Sequence, residues 1–98
     1  MNFSGFDWDA GNRAKCQKHG VSTEIIEATF RRGLMVLPDE AHSQTEQRFR
    51  AIGRDEAGRA LFIVFTLRRR GADVVIRPIG ARYMHRKEIE HYEKTYGA

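Results

Sequence analysis

The chain has few of the residues that build covalent or metal-based scaffolds. Its 98 residues include one cysteine, Cys16, which excludes an internal disulfide and a cysteine-based zinc cage within one chain. No pair among the four histidines has the i, i+4 spacing of a metalloprotease helix (His19, His42, His85 and His91). No glycine-rich phosphate loop occurs. The sequence therefore predicts no metal and no cofactor, and the free cysteine suits a reducing compartment.

Long apolar runs are also missing. No window approaches the roughly 18 consecutive apolar residues of a membrane span. The N-terminus lacks the basic segment and apolar run of a signal peptide. A length of 98 residues corresponds to one domain, residues 1–98. We expect a single cytoplasmic domain that does not enter a membrane.

Lysine is absent where positive charge is greatest. Residues 1–47 carry five Lys/Arg against seven Asp/Glu, and residues 48–98 carry twelve against six, so the halves (−2 and +6) sum to +4. All nine basic residues from 48 to 82 are arginines. Arginine presents a planar fork that fits phosphate and carboxylate groups. This asymmetry favours a nucleic-acid or acidic-protein partner, although arginine as an ordinary surface cation explains it too.

Cap and turn residues divide the chain into short elements. Asp9 and Ser22 are suited to cap the first two predicted helices. The predicted helices cover about 10–19, 23–32 and 85–96. The predicted strands cover 3–8, 34–37, 47–54, 60–68 and 73–81. The later turns are too short for parallel crossovers, so we predict an α+β domain with an antiparallel sheet of about four to five strands, two N-terminal helices and one C-terminal helix.

Two strand features predict positions within the sheet. The stretch from Leu61 to Leu67 is apolar on both faces except for Thr66, which favours a central strand. Pro78 has no backbone N–H to donate to a neighbouring strand. The strand that contains Pro78 is therefore predicted to lie at an edge of the sheet or to carry a bulge.

The first candidate site lies on the first predicted helix. Asn12, Lys15 and His19 follow the i, i+3, i+7 spacing of one helix face, and Lys18 lies beside His19. Lysines there would bind phosphates, and the histidine would transfer protons near neutral pH. Cations at a helix end also stabilise the helix dipole. The two interpretations explain these residue types equally well.

The second candidate site is a pair of arginines on one predicted strand. Arg48 and Arg50 are spaced i and i+2, so they would share a face of the sheet. Two neighbouring guanidinium groups repel each other unless an anion or a carboxylate lies between them. Glu46 has the same parity and would supply that carboxylate. A bound phosphate and an internal Glu–Arg network are equally compatible with the pattern.

The third candidate site lies in the segment IGARYMHRKEIEHYE, residues 79–93. Arg82 and Tyr83 follow the predicted edge strand, and His85 begins the last predicted helix, in phase with its apolar stripe. That stripe consists of Ile89, Tyr92 and Tyr96. We therefore expect His85 to turn toward the sheet. The three side chains together would stabilise a pentacovalent phosphate and move protons. A half-buried histidine that bonds a backbone carbonyl is the simpler alternative.

Three segments, residues 6–22, 42–68 and 76–93, resemble the BrnT family of type II toxins in order and spacing. The matching positions are Phe6, Trp8, Asp9, Asn12, Lys18 to Val21, His42, Glu46, Arg48, Ile52, Gly53, Gly58, Arg59, Thr66, Arg68, Ala81, Arg82, Glu88 and Tyr92. The chain departs from the family at IGAR, where ISAR is more usual, so Gly80 lacks a hydroxyl.

This resemblance implies a RelE-like ribonuclease fold and a toxin that cleaves RNA to inhibit translation. It implies neutralisation by a BrnA-like ribbon-helix-helix antitoxin, with operator DNA bound through that antitoxin. The residues to which it assigns the cationic cleft and acid–base chemistry are Lys18, His19, Arg48, Arg68, Arg82 and Tyr83.

The working hypothesis combines this resemblance with the three candidate sites as a metal-independent endoribonuclease. The predicted catalytic residues are His19, Arg48, Arg68, Arg82, Tyr83 and His85. The predicted RNA-binding residues are Lys15, Lys18 and Arg50, and no residue is predicted to bind metal. Tyr83 and Trp8 are candidates for stacking on bases. The alternative function is a non-catalytic partner-binding domain within a DNA-bound, autorepressing complex.

Overall fold

The computed structural model describes residues 3–42, with no side-chain description at His42, and residues 45–97. Its helices are α1 (Ala10–Gln17), α2 (Thr23–Arg32) and α3 (Arg86–Tyr96), with a short 3-10 turn at Glu40–His42. Its strands are β1 (Met35–Pro38), β2 (Phe49–Arg54), β3 (Ala60–Arg70) and β4 (Asp73–Tyr83). Two helices precede an antiparallel sheet and one follows it, so the predicted α+β architecture is confirmed.

The helix caps follow the sequence signals closely. The Asp9 carboxylate accepts the backbone N–H of Asn12 at 2.9 Å, and the Ser22 hydroxyl accepts that of Ile25 at 3.1 Å. Helix α1 is shorter than predicted and ends at Gln17, so His19 lies in the turn that follows it. Gly20 has a φ of 82°, in the left-handed region that glycine adopts most readily, and this reverses the chain toward α2.

The sheet has the order β1-β2-β3-β4, and every pairing within it is antiparallel. Strand β3 is interior, as its apolar sequence predicts. The register between β3 and β4 shifts by one residue at one point: Gly80 lies opposite Val64, whereas Pro78 lies opposite Phe65. Ile79 is the extra residue of this bulge, so the predicted irregularity at Pro78 is confirmed.

The N-terminal segment runs beside the outer edge of β4. It makes a single parallel bridge between Phe6 and Ile76 rather than the full strand predicted over residues 3–8. The N–H of Ser4 donates to Val74 at 2.8 Å, and that of Asp7 donates to Ile76 at 2.8 Å. These bonds satisfy backbone groups of β4 that would otherwise form an open sheet edge.

The hydrophobic core lies between α1, α2 and one face of the sheet. Leu61, Ile63 and Phe65 alternate along β3 and are fully buried against this layer. Val21 and Ile26, which flank the α2 cap with the spacing of a hydrophobic staple, are also fully buried. Each such aliphatic side chain stabilises the fold by roughly 1.5–3 kcal/mol. The core therefore fixes the position of α1 relative to the sheet.

The opposite face of the sheet, called here the second face, is covered only in part. Residues that lie opposite each other in the strand pairings share this face: Arg50, Ile52, Phe62, Val64, Gly80 and Arg82. Helix α3 covers the β2 side, and Tyr92 is its one buried residue within the described chain. No helix among the described residues is long and apolar enough to span a membrane.

The start of α3 corrects one expectation about the third candidate site. His85 is exposed and occupies the N-cap position, so it does not turn toward the sheet. Tyr96 is 46% exposed and likewise lies outside the packed stripe. The helix begins one residue later than predicted, and Ile89 and Tyr92 line the space between it and the sheet.

Candidate functional site

A groove of about 280 Å³ lies where the end of α1 meets the second face of the sheet. It is lined by Lys15, His19, Phe62, Val64, Ile79, Gly80, Ala81 and Arg82. Three of these were predicted as site residues: Lys15 and His19 in the first candidate site, and Arg82 in the third. The groove therefore combines an ammonium, an imidazole and a guanidinium group around an apolar floor.

Arg82 is the most constrained cation in the groove. Its Nη1 and Nη2 donate to the two carboxylate oxygens of Glu88 at 2.7 and 2.6 Å. Its guanidinium carbon lies 4.6 Å from the centre of the Phe62 ring, a cation–π contact. The hydrogen bonds from Arg82 lower the pKa of the Glu88 carboxyl, and the same bonds raise the pKa of Arg82. Both groups are therefore charged at neutral pH.

Lys15 and His19 are exposed on the α1 side of the groove. Within the part of the chain that the structure describes, neither makes an ion pair or a side-chain hydrogen bond. Both are free to meet an incoming anion. Lys18, the neighbour of His19 in the sequence, is exposed but does not line the groove.

Asn12 does not belong to the exposed polar face expected of the first helix. It is only 4% exposed, and its Nδ2 donates to the carbonyls of Asp7 at 2.8 Å and Pro78 at 2.9 Å. Its Oδ1 accepts the N–H of Asp9 at 2.7 Å. This corrects the first candidate site, since Asn12 joins α1 to the bulge of β4 while Lys15 and His19 face the groove.

The predicted arginine pair lies at the start of β2. Arg48 precedes the strand, and its carbonyl accepts the Asp39 N–H at 2.9 Å, whereas Arg50 lies within it. Arg50 donates from Nη1 to the Tyr92 hydroxyl at 3.2 Å and from Nη2 to the Pro38 carbonyl at 3.2 Å. Its Nε is buried without a hydrogen-bond partner among the described residues.

Glu46 forms an ion pair with Arg68. The hydrogen bond from Arg68 is the main cause that lowers the pKa of Glu46, and the charge of Arg48 contributes less. Arg68 lies six positions along β3 from Phe62, a distance of roughly 20 Å at the usual rise per strand residue. The Glu46–Arg68 pair is therefore remote from the groove.

Tyr83 follows Arg82 in β4, so its side chain points to the opposite face of the sheet. Its hydroxyl donates to Asp55 Oδ2 at 3.2 Å, and the Arg59 guanidinium lies 3.5 Å from its ring centre. Burial, followed by the bond to Asp55, raises its pKa. Trp8, the other stacking candidate, donates from its indole to Glu27 at 2.8 Å. Neither aromatic ring lines the groove.

Four residues near the groove were missed as functional candidates from the sequence. Phe62, Val64 and Gly80 form its floor, and Glu88 holds Arg82 from outside it. The sequence of β3 could have indicated the floor of the groove. Leu61, Ile63 and Phe65 face the core, so Phe62 and Val64, which alternate with them, face the opposite side of the sheet. The Arg82–Glu88 pair has no local signal, since the two lie on different elements.

The described residues contain no group of three or more His, Cys, Asp or Glu side chains arranged to hold a metal ion. A cationic groove beside an aromatic ring matches instead the chemistry of a phosphate-rich ligand. Arg82 and His19 are also among the positions at which the sequence resembles the BrnT toxins.

Comparison with known proteins gives one family and no curated relative. Residues 8–88, most of the chain, match the family described as "Ribonuclease toxin, BrnT, of type II toxin-antitoxin system". No match is found among curated proteins. The matched range includes α1, α2, the whole sheet and the Arg82–Glu88 pair. The chain belongs to the BrnT family of ribonuclease toxins of type II toxin–antitoxin systems.

Proposed function

We propose that this chain is a metal-independent endoribonuclease that inhibits translation by cleaving RNA in the groove between α1 and the second face of the sheet. The observation that carries the proposal is the meeting of Lys15, His19 and Arg82 in one groove. Two cations and an imidazole are the groups that a phosphodiester cleavage needs when the protein supplies the charge stabilisation itself.

The proposed reaction is an in-line attack by the RNA 2′-hydroxyl on the adjacent phosphorus. The bond from the 2′-oxygen to phosphorus forms and the bond to the 5′-oxygen breaks, which leaves a 2′,3′-cyclic phosphate and a 5′-hydroxyl. His19 accepts the proton of the 2′-hydroxyl, water protonates the departing 5′-oxygen on the opposite side of the phosphorus, and Lys15 and Arg82 bind the non-bridging oxygens. Their charges stabilise the pentacovalent transition state more than the ground state because negative charge accumulates there.

The neutralising partner in this proposal is a BrnA-like ribbon-helix-helix antitoxin, through which the complex binds operator DNA. Membership of a type II toxin family supports a protein antitoxin. The excess of positive charge in residues 48–98 supports RNA as substrate, because phosphate neutralisation supplies much of the affinity for nucleic acid.

The test is cleavage of an end-labelled RNA by the purified chain in the presence of a chelator. We expect His19→Ala to lower kcat by about 10²-fold or more and Lys15→Ala to lower kcat/KM by about tenfold. His91→Ala and Lys94→Ala remove the same side-chain types from exposed positions on α3 and are matched controls. Equal activity in groove and control variants, or RNA left intact by the wild-type chain with and without ribosomes, contradicts the proposal.

A second candidate function, a non-catalytic docking domain, is favoured by one observation. Arg82 and Arg68 are both paired with carboxylates of this chain, as structural arginines are. If docking is the role of the groove, Lys15→Ala and His19→Ala abolish binding of the antitoxin while the wild-type chain leaves RNA intact. RNA cleavage that depends on His19 excludes this alternative.

A further inference from the structure

We propose that Glu88 is a positioning residue for Arg82: its carboxylate fixes the guanidinium at the wall of the groove, so that the remaining N–H groups point toward an RNA phosphate. The inference rests on the proposed function and deepens it. It assigns a role to a residue that does not line the groove and that belongs to a different element from Arg82.

The first support is the geometry of the ion pair. Both terminal nitrogens of Arg82 donate to Glu88, at 2.7 and 2.6 Å, which leaves three of the five guanidinium N–H groups for a ligand. A two-point bond also prevents rotation of the guanidinium about its long axis. Phosphate binding then costs less conformational entropy than binding by an unrestrained arginine.

The second support is that Glu88 does not hide Arg82. The arginine side chain remains 37% exposed while the pair is formed, and Arg82 still lines the groove with Lys15 and His19. Phe62 supports the guanidinium from the sheet, at 4.6 Å. Two independent contacts thus define its orientation, whereas Lys15 has no such restraint among the described residues.

Glu88 is itself held in place at the start of α3. Its Oε1 accepts the backbone N–H of His85 at 3.1 Å, in addition to the bond from Arg82. This contact stabilises the first turn of the helix. A substitution at Glu88 therefore changes both helix stability and the orientation of Arg82, and the experiment has to separate the two effects.

The experiment compares Glu88→Gln with Glu90→Gln, alone and in an Arg82→Ala background. Glu90 lies on the same helix, its side chain is 65% exposed, and its removal changes the net charge equally. We expect Glu88→Gln to lower kcat by about tenfold to a hundredfold and to raise KM only several-fold, because a misplaced guanidinium loses more stabilisation in the transition state than in the bound ground state. Glu90→Gln retains wild-type kcat. In the Arg82→Ala background, Glu88→Gln causes no further loss, because it acts through that arginine.

Three results overturn the inference. Higher activity of the Glu88→Gln variant shows that the carboxylate restrains Arg82 instead of presenting it. An equal loss in the presence and absence of Arg82 shows a purely structural effect of the helix start. Equal kcat for the Glu88 and Glu90 variants shows that the ion pair is irrelevant to the reaction. Thermal unfolding of each variant shows how much protein is folded during the assay.

A binding measurement distinguishes failure of this inference from failure of the proposed function. If the wild-type chain cleaves no RNA, the same variants are titrated with a 2′-O-methyl RNA, which cannot react by the proposed route. We expect Glu88→Gln to weaken its binding several-fold only when Arg82 is present. Equal affinities for the Glu88→Gln and Glu90→Gln variants then overturn the positioning role independently of catalysis.

Discussion

Asn12 and Pro78 are joined by a buried hydrogen bond of 2.9 Å across 66 positions of the sequence. The Asn12 side-chain amide meets the Pro78 carbonyl next to the bulge of β4, so this bond connects the two elements that form the groove. The same side chain also binds Asp7 and Asp9. This amide therefore adds a polar connection to the hydrophobic core that holds α1, with Lys15, against the sheet that carries Arg82.

We expect Asn12→Ala to lower the free energy of unfolding by about 2–4 kcal/mol, because it leaves a buried carbonyl without its donor and removes further hydrogen bonds. Gln17→Ala is the control, since Gln17 makes an exposed hydrogen bond on the same helix. Urea unfolding, monitored by circular dichroism, measures the free energy of unfolding of both variants. Equal stability of the two variants shows that the Asn12 amide does not fasten α1 to β4.

A second prediction concerns two glycines of the sheet. A Cβ at Gly53 would lie 2.7 Å from Thr29 Cγ2 and 3.1 Å from Leu34 Cβ, whereas a Cβ at Gly80 meets nothing within 4 Å. Gly53→Ala is therefore expected to destabilise the fold by about 1–3 kcal/mol through overpacking. Gly80→Ser, which introduces the residue more usual in the family, should stay within about 0.5 kcal/mol of the wild type. Chemical denaturation measures the free energy of unfolding of the two variants. An equal loss of stability in both contradicts the prediction.

Tyr92 and Tyr96 provide a matched pair on α3. The Tyr92 hydroxyl accepts a hydrogen bond from the partly buried Arg50, while Tyr96 is 46% exposed. Tyr92→Phe removes a partner of a guanidinium whose Nε already has none among the described residues, and we expect a loss of about 1–3 kcal/mol. Tyr96→Phe should leave the unfolding midpoint unchanged. If Tyr92→Phe is also neutral, water satisfies Arg50 in place of the phenol.

Cys16 is predicted to be chemically inert in the folded state. It has no exposed surface, and its burial raises the thiol pKa to about 11. Because the thiolate is the reactive form, a thiol reagent at about pH 8 should modify the native chain only through unfolding. The modification rate should rise steeply in urea along the unfolding curve. Rapid labelling of the native protein contradicts this burial.

We expect the folded chain to be less stable in acid because the carboxylates of Glu46 and Glu88 become protonated there. Hydrogen bonds from Arg68 and Arg82 lower their pKa values in the folded state, so the unfolded chain binds protons more readily. The two ion pairs contribute their full stabilisation above the carboxyl pKa of the unfolded chain, about 4.3. This stabilisation is lost as the pH falls through the lower carboxyl pKa values of the folded chain. Urea midpoints from about pH 6 to pH 3 should decrease, less steeply for Glu88→Gln than for Glu90→Gln. Identical slopes contradict the Glu88 contribution.

The sequence predicted the features that depend on neighbouring residues. The caps at Asp9 and Ser22, the interior position of β3 and the irregularity at Pro78 follow from side-chain chemistry within a few positions. It also identified Lys15, His19 and Arg82, which the fold brings into one groove.

Errors arose where tertiary contacts decide the outcome. The periodicity of α1 suggested that Asn12 was exposed, but its partner Pro78 lies in a distant strand. The inward orientation expected for His85 assumed a helix one residue longer at its start. The predicted strand began at Gln47, two residues before β2 begins at Phe49. The catalytic assignments of Arg48, Arg68, Tyr83 and His85 remain predictions.

The bulge at Ile79 determines on which side of the sheet Arg82 lies. If β4 continued from Pro78 without the extra residue in its pairing, Arg82 would lie opposite Leu61, on the core face of the sheet, and Ala81 would take its place opposite Phe62. A shift of one residue in this strand pairing would therefore move the Arg82 guanidinium from the groove into the core. The register of this one strand therefore decides whether Arg82 lines the groove or lies in the core.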